Sequence, residues 1–285
     1  MPPLTPVMIR TFGRTGSTLL MQILGTSDRM CYERTYPFEQ RYLTYVHNMA
    51  RMISLKQKSD AVWNNDTMFM GKCSRVGPLP YPTVQALDKK TLSINCFKAL
   101  WQEFSDSMRK QQGIPQEGKA FYAEKVPSYV ANTANDHLEA MNIFLLRDPR
   151  DEMVSIKRFN EKRGFKSFGW QENDSDLTYA TRMCKTHHAF LKNLVSFKTD
   201  PRRTYVRYED LIRKGEEEVS RLSEWLGSEM SLKEASGNKS VHKKHMTSTS
   251  ADSSVERWTS ELSDDVLGVF SRELGSELDS LGYRV

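Results

Sequence analysis

The sequence VMIRTFGRTGSTLL, at residues 7–20, passes from a short apolar run through a glycine-containing loop into a segment with helical spacing. The apolar run covers residues 7–11 and stops at Gly13, and apolar residues recur at helical spacing from Leu19 to Leu24. This pattern predicts a strand, a tight loop and a helix. Such a junction directs several backbone N–H groups and the positive end of the helix dipole at one point, so it suits an anion.

Side chains of the loop add to this capacity. Arg14 can form a charge-assisted hydrogen bond with an anion, and the hydroxyl groups of Ser17 and Thr18 can donate others. In an alignment with the Walker A pattern GxxxxGK[ST], Ser17 stands at the lysine position and Thr11 at the first glycine. The loop is therefore predicted to hold a phosphate-like group but is poorly equipped for Mg·ATP. The alternative is an ordinary strand–turn–helix junction with a Ser/Thr cap.

The composition excludes several classes of protein. The 41 Lys and Arg residues against 36 Asp and Glu give a formal net charge of +5, which is compatible with an anionic ligand. No basic run is long enough to indicate a nucleic-acid partner. No signal peptide and no apolar window of about 20 residues is present, so a cytoplasmic protein is expected, with a missing N-terminal anchor as the alternative. Free thiols of a reducing compartment are predicted for the four scattered cysteines, Cys31, Cys73, Cys96 and Cys184.

Three further apolar runs, at residues 120–123, 143–146 and 204–206, have the length of strands. Segments with helical periodicity separate them, which is typical of a parallel sheet with crossover helices. The continuously apolar run at 143–146 suits a sheet that is covered on both faces. The sequence therefore predicts an α/β fold over residues 1–285, with helices also at 216–226 and 262–281.

A second anion site is predicted at residues 142–155, which read NIFLLRDPRDEMVS. A buried strand ends at Arg147, a proline-containing turn follows, and two acidic residues stand where a helix should begin. Ligands of open α/β sheets bind beyond the carboxyl ends of the strands, so Arg147 is well placed, and Ser155 could donate to the same anion. The alternative is that Arg147 and Arg150 only pair with neighbouring aspartates on the surface. Two anion sites imply a ligand with two separated phosphate-like groups.

Together, the two segments resemble the sulfotransferase family that uses 3′-phosphoadenosine-5′-phosphosulfate (PAPS). The first resembles the 5′-phosphosulfate loop, [PG]-[RK]-[ST]-G-[ST]-[ST]-x-L, and the second resembles the motif in which an Arg and a Ser bind the 3′-phosphate. The cofactor-binding residues that this resemblance implies are Gly13, Arg14, Thr15, Gly16, Ser17, Thr18, Arg147 and Ser155.

Three further segments match the family in order. Residues 124–129, EKVPSY, resemble the E-K-[ST]-P-x-Y segment of carbohydrate sulfotransferases and their bacterial relatives, and residues 207–211, RYEDL, resemble a strand end whose Tyr lies near the nucleotide. Residues 254–258, SVERW, resemble an S-x-G-R-W segment that folds over the cofactor, with Glu256 in place of the usual Gly. The additional cofactor-binding residues implied by these segments are Tyr208, Arg257 and Trp258.

The resemblance also implies a reaction, the in-line transfer of a sulfuryl group from PAPS to a hydroxyl acceptor without a metal. Arg14 and Lys125 are candidates for stabilising the transferred group and the leaving phosphate, although Lys125 could instead form a surface pair with the preceding glutamate. Glu33 is the first candidate for the catalytic base, because tyrosylprotein and trehalose sulfotransferases carry a catalytic Glu at this point. Glu39 or Asp28 could substitute for it.

The implied architecture is a three-layer P-loop sulfotransferase fold. Residues 36–118 are predicted to form a helical and loop insertion over the acceptor side of the sheet, and residues 236–258 a loop that covers the cofactor. The expected acceptor is a small-molecule or carbohydrate hydroxyl, nucleic acid is not expected as a partner, and a homo-oligomer is possible. Two alternatives remain open, a P-loop kinase of nucleosides or small molecules and an inactive PAPS-binding relative.

Overall fold

The structure is a computed structural model that describes residues 2–35, 38, 41–55, 87–196, 200–236, 247–248 and 250–285. The described residues form five strands: β1 (Thr5–Arg10), β2 (Met30–Cys31), β3 (Phe121–Lys125), β4 (Met141–Leu146) and β5 (Arg203–Arg207). They also form eleven α-helices: α1 (Ser17–Leu24), α2 (Tyr42–Met52), α3 (Lys89–Gln112), α4 (Ser128–His137), α5 (Pro149–Arg163), α6 (Asp176–Ser196), α7 (Tyr208–Arg213), α8 (Gly215–Leu226), α9 (Leu232–Ser236), α10 (Trp258–Glu261) and α11 (Asp264–Ser280).

The strands form one sheet in the order β2-β3-β1-β4-β5. β2 pairs in parallel with β3, and β4 pairs in parallel with β5. The chain therefore builds the sheet outward on both sides of β1, and the carboxyl ends of β1 and β4 are neighbours. Ligands of open α/β sheets bind at such a reversal of strand order. The predicted α/β fold, with a central parallel sheet flanked by helices, is confirmed.

Four of the five strands coincide with apolar runs in the sequence. Every residue of β4 is buried, as are the four central residues of β1, because continuous apolar runs suit strands that are covered on both faces. The strand β2 was not predicted. It has only two residues, Met30 and Cys31, and so carries no periodic pattern.

Helix α5, which follows β4 closely, has signals in its own sequence for its start and its end. The side chain of Asp148 caps the helix by accepting from the N–H of Arg150, and Pro149 occupies the first helical position. Two acidic residues follow in the first turn, where their negative charges interact favourably with the positive end of the helix dipole. Gly164 ends the helix in the left-handed conformation, with φ of +72°. The sequence predicts that a helix begins after Arg147, and this prediction is confirmed.

The other predicted segments are described in part. The helices predicted at 216–226 and 262–281 are confirmed as α8 and α11. The described part of the predicted insertion at 36–118 contains α2 and α3. Much of that insertion, including Glu39 and Cys73, lies outside the described residues, as do residues 237–246 and 249 of the predicted cofactor-covering loop.

The chain divides into two compact units. The first contains the described residues of Met1–Met8, Arg29–Glu33 and Glu39–Met141. Its core is centred on Trp101, which is fully buried and lies 5.3 Å from the ring of Tyr122, centroid to centroid. The indole N–H of Trp101 donates to the carbonyl of Leu4 at 2.9 Å, so the start of β1 is fixed to α3.

The second unit contains the described residues of Ile9–Asp28, Arg34–Phe38 and Asn142–Val285. Its core joins β4 to α5, α6, α10 and α11, with Phe270 and Leu274 of α11 fully buried. No helix of the described residues is both long and apolar enough to cross a membrane.

Candidate functional site

The loop between β1 and α1 is shaped by Gly16. This residue is the N-cap of α1 and has φ of +91°, a conformation that residues with a Cβ rarely adopt. A Cβ built at Gly16 would lie 2.3 Å from Cδ2 of Tyr208, so the ring of Tyr208 fills the space that a side chain would need. The first N–H groups of α1, at Ser17 and Thr18, have no carbonyl partner within the helix and are suited to an anion.

Two threonines stabilise the loop, and the first of them bonds it to the sheet. The hydroxyl of Thr11 donates to the carbonyl of Leu145 in β4 at 2.9 Å, and the hydroxyl of Thr15 donates to the carbonyl of Phe12 at 3.2 Å. Thr15 is only 1% exposed. Its hydroxyl therefore stabilises the loop from within, which leaves its backbone as the part that can face a ligand.

Two arginines come together beside this loop. Nη1 of Arg147 donates to the carbonyl of Arg14 at 2.8 Å, and Nε of Arg14 donates to Oγ of Ser155 at 3.3 Å. The guanidinium of Arg14 also lies over the ring of Phe159, 4.5 Å from its centroid. Burial, together with the nearby charge of Arg147, lowers the pKa of Arg14 to about 10. Two cations held this close favour an anion between or beside them.

Arg147 is itself buried, with 6% of its surface exposed. Nη2 donates to the carbonyl of Ser254 at 2.6 Å, and Nε is buried with no hydrogen-bond partner among the described residues. Arg150 is bound bidentately by Asp148, and the side chains of that pair are 3% and 6% exposed. The alternative in which both arginines only form surface pairs is therefore wrong, because both are buried and Arg147 donates to carbonyls instead.

A chain of polar groups extends from Arg14 to the segment before α10. Oγ of Ser155 lies 3.4 Å from Oγ1 of Thr247, and Nη1 of Arg257 donates to the same Oγ1 at 3.3 Å. Nε of Arg257 is paired with Glu261 at 2.8 Å. Thr247 was missed by sequence reasoning. Its only signal is the Ser/Thr-rich composition of the stretch in which it lies.

Asp151 fixes the segment at residues 254–258. Its two carboxylate oxygens accept from the backbone N–H groups of Glu256, at 2.6 Å, and Trp258, at 3.0 Å. Burial raises the pKa of Asp151 to about 6. The ring of Trp258 is 9% exposed and lies 3.8 Å from the guanidinium carbon of Arg150, so it is packed into the core.

Tyr208 joins the loop to the same segment. Its hydroxyl lies 2.8 Å from Oγ of Ser254, and the guanidinium of Arg147 lies 4.8 Å from its ring centroid. The following residue, Glu209, is buried and accepts from the N–H of Asp148 at 2.8 Å and from the hydroxyl of Tyr283 at 3.1 Å. Glu209 thus holds the turn after β4 in place, a role that local sequence patterns do not reveal.

The predicted catalytic residues Lys125 and Glu33 belong to the first unit, and both are half-buried. Lys125 is the last residue of β3. Glu124 is 1% exposed and accepts from the N–H groups of Leu43 and Thr44 at the start of α2. Glu124 is therefore a buried acceptor for the start of α2 and not a surface group.

The two other candidates for the base differ in position. Asp28 is exposed in the second unit, and Glu39 lies outside the described residues. Within the described residues, no three His, Cys, Asp or Glu side chains form a cluster that could hold a metal ion.

Comparison with known proteins agrees with this geometry. A sequence model of the sulfotransferase family matches residues 6–231 of the chain. The chain belongs to the sulfotransferase family. Members of this family transfer a sulfuryl group from PAPS to hydroxyl acceptors, and the chain is accordingly an enzyme of this reaction class. No curated protein matches the chain.

Two solved structures show the same fold. The sulfotransferase domain of the Synechococcus PCC 7002 olefin synthase is 14% identical, with a TM-score of 0.53 over 100% of this chain and 97% of that chain. The sulfotransferase domain from the curacin biosynthetic pathway is 17% identical, with a TM-score of 0.53 over 100% and 99% of the two chains. The sulfotransferase fold is thus supported over the full length of the chain.

We predict that Gly16→Ala weakens the binding of adenosine 3′,5′-bisphosphate, the product of PAPS, by at least about tenfold. The added Cβ would displace Tyr208 and strain the backbone at a positive φ, which alone costs about 1–2 kcal/mol. The matched control is Gly164→Ala, which has φ of +72° and open space around it. The control should lose stability but keep its affinity in titration calorimetry; equal loss of affinity in both variants would contradict the prediction.

We predict that Asp151→Asn weakens bisphosphate binding several-fold, because one amide oxygen cannot replace two carboxylate acceptors. In the wild type, protonation of Asp151 below about pH 6 should weaken binding in the same way. The phosphates of the ligand also titrate near pH 6. The binding of the ligand to Asp151→Asn, which cannot titrate at residue 151, therefore measures the pH dependence that comes from the phosphates alone. If the affinities of the two proteins for the bisphosphate change in parallel from pH 7.5 to 5, this role of Asp151 is contradicted.

The stability of the fold should respond to this group in the opposite sense. The pKa of Asp151 is raised above its ordinary value of 3.8, so the folded state favours the protonated form. Its favourable contribution to the free energy of unfolding is complete below about pH 4 and is lost as the pH rises through about 6. Denaturant titrations at several pH values, compared with those of Asp151→Asn, measure this contribution.

Proposed function

We propose that the site in the second unit binds PAPS across its 5′-phosphosulfate and 3′-phosphate groups. The observation that carries the proposal is the buried guanidinium of Arg147, which donates to Arg14 in the β1–α1 loop and to Ser254 on the far side. Its buried Nε has no hydrogen-bond partner within the described part of the chain, and such groups are rare unless a ligand or water satisfies them. The residues present therefore fit a bisphosphorylated nucleotide.

Each end of the ligand has its own set of groups. The 5′ end would be held by the backbone from Gly13 to Thr18, by the hydroxyls of Ser17 and Thr18, and by Arg14. The 3′-phosphate would be held by Arg147 and Ser155, with Thr247 and Arg257 beside them. Tyr208 and Trp258 would act by shaping these sets, since Tyr208 packs on Gly16 and Trp258 is anchored by Asp151.

PAPS supplies an activated sulfuryl group, and the chain supplies positioning, charge and a base. Arg14 and Lys125 would stabilise negative charge on the transferred group and the leaving phosphate. Glu33 would accept the proton of the acceptor hydroxyl, as a carboxylate base can. No metal is required in this proposal.

The acceptor that we propose is a small-molecule or carbohydrate hydroxyl, and the described helices α2 and α3 belong to the segment predicted to recognise it. We also propose a cytoplasmic location, which the scattered spacing of the four cysteines in the sequence, at residues 31, 73, 96 and 184, supports.

We predict that Arg147→Ala weakens the binding of adenosine 3′,5′-bisphosphate by about 1.5–3 kcal/mol, as expected for the loss of a charged hydrogen bond. The measurement is titration calorimetry without Mg²⁺, with the exposed Arg272→Ala as a control that removes the same charge. The wild type should be stabilised by the bisphosphate alone in a thermal-shift assay. Stabilisation only by Mg·ATP would instead favour a kinase and contradict the proposed function.

We predict that Glu33→Gln lowers the turnover of sulfur-labelled PAPS while bisphosphate binding stays within about twofold of the wild type, because a base contributes typically 10²–10⁴-fold to the rate. A panel of hydroxyl acceptors would be screened with the wild type first, and Glu139→Gln, at an exposed position of the same unit, serves as the control. If Glu33→Gln leaves kcat unchanged, the base is another residue. If the wild type binds the bisphosphate but transfers to no acceptor, an inactive relative is favoured.

A further inference from the structure

His187 of α6 is buried directly behind the β1–α1 loop. Its ring stacks on the ring of Phe12, with centroids 3.9 Å apart and planes inclined by 28°. Phe12 immediately precedes Gly13, and its ring also makes an edge contact with the ring of Phe190, with centroids 4.9 Å apart. The imidazole is therefore part of the surface on which the 5′ loop rests.

The same imidazole is bonded to the helix that carries the second phosphate site. Nε2 lies 3.1 Å from Oε2 of Glu152, and Nδ1 lies 2.9 Å from the carbonyl of Met183. Glu152 lies in the first turn of α5, one turn before Ser155. The side chains of His187 and Glu152 are 6% and 3% exposed, so two oriented bonds and a stacked ring fix the imidazole.

An ordinary core position would not need this pair. Replacing a buried polar pair by apolar residues of similar volume is often neutral or stabilising, so burial alone does not explain it. What distinguishes the pair is its position, since one partner touches the residue before Gly13 and the other belongs to the helix of Ser155. The distance between these two segments decides whether one rigid nucleotide can engage both.

We propose that His187 is a positioning residue that, through Phe12 and Glu152, fixes the separation of the 5′-phosphosulfate and 3′-phosphate subsites. This inference rests on the proposed function, because it assigns a task to His187 only if one ligand spans both subsites. When two groups of a ligand bind together, the second binds at a high effective concentration, and that advantage is lost if the spacing is wrong. Each subsite by itself would remain intact.

The experiment compares adenosine 3′,5′-bisphosphate with 3′-AMP and 5′-AMP by titration calorimetry. In the double variant His187→Leu/Glu152→Leu, which leaves no unpaired buried charge, affinity for the bisphosphate should fall on the order of tenfold. Affinity for each monophosphate should stay within about twofold of the wild type. The variant His187→Gln, which keeps an N–H that can reach Glu152, should retain part of the advantage of the bisphosphate.

The matched control is His188→Gln, an adjacent histidine that is half exposed and lies 3.5 Å from Glu277. It should bind all three nucleotides like the wild type. A general loss of folded protein would weaken all three ligands alike and would overturn the proposal, as would unchanged bisphosphate binding in the double variant. Failure of the wild type to bind the bisphosphate would overturn the proposed function as well, so the two failures are distinguishable.

Discussion

The site in the second unit depends on one buried cation. Arg147 leaves the end of β4 and donates to backbone carbonyls from two distant parts of the chain, at Arg14 and Ser254. A buried guanidinium without a carboxylate bond is costly unless other groups offset its charge. An anionic ligand at the proposed site would do so. The guanidinium of Arg147 thus connects the β1–α1 loop, the end of β4 and the segment at residues 254–258.

The parts of this arrangement that could be predicted from the sequence are those with a local physical cause. The strands β1 and β4 are continuous apolar runs, and helix α5 has its cap, its proline and its terminal glycine within the chain itself. The hydrogen-bonding capacity of the loop follows from its residue types, so its suitability for an anion was predictable too. The family motifs then extended the prediction to Tyr208, Arg257 and Trp258.

The rest depends on contacts between residues far apart in the chain, for which a single sequence has no pattern. Asp151 binds residues about a hundred positions away, and His187 meets Phe12 because α6 packs against the loop after β1. The sequence also does not distinguish a buried histidine from an exposed one, as the neighbours His187 and His188 illustrate. The base is a similar case, because the presence of a carboxylate does not by itself distinguish Asp28, Glu33 and Glu39.

Glu256 shows how a departure from the family pattern is tolerated. The usual residue is glycine, and the backbone here has φ of +60°, which a residue with a Cβ adopts only at a cost. Two contacts offset that cost: the N–H of Glu256 donates to the buried Asp151, and its carboxylate pairs with Arg213 at 2.9 Å. The pair with Arg213 is exposed and worth little, so the bond to Asp151 is the stronger constraint. The segment beside the proposed 3′ subsite is thus held at Glu256 by its backbone, which allows the side chain at this position to vary.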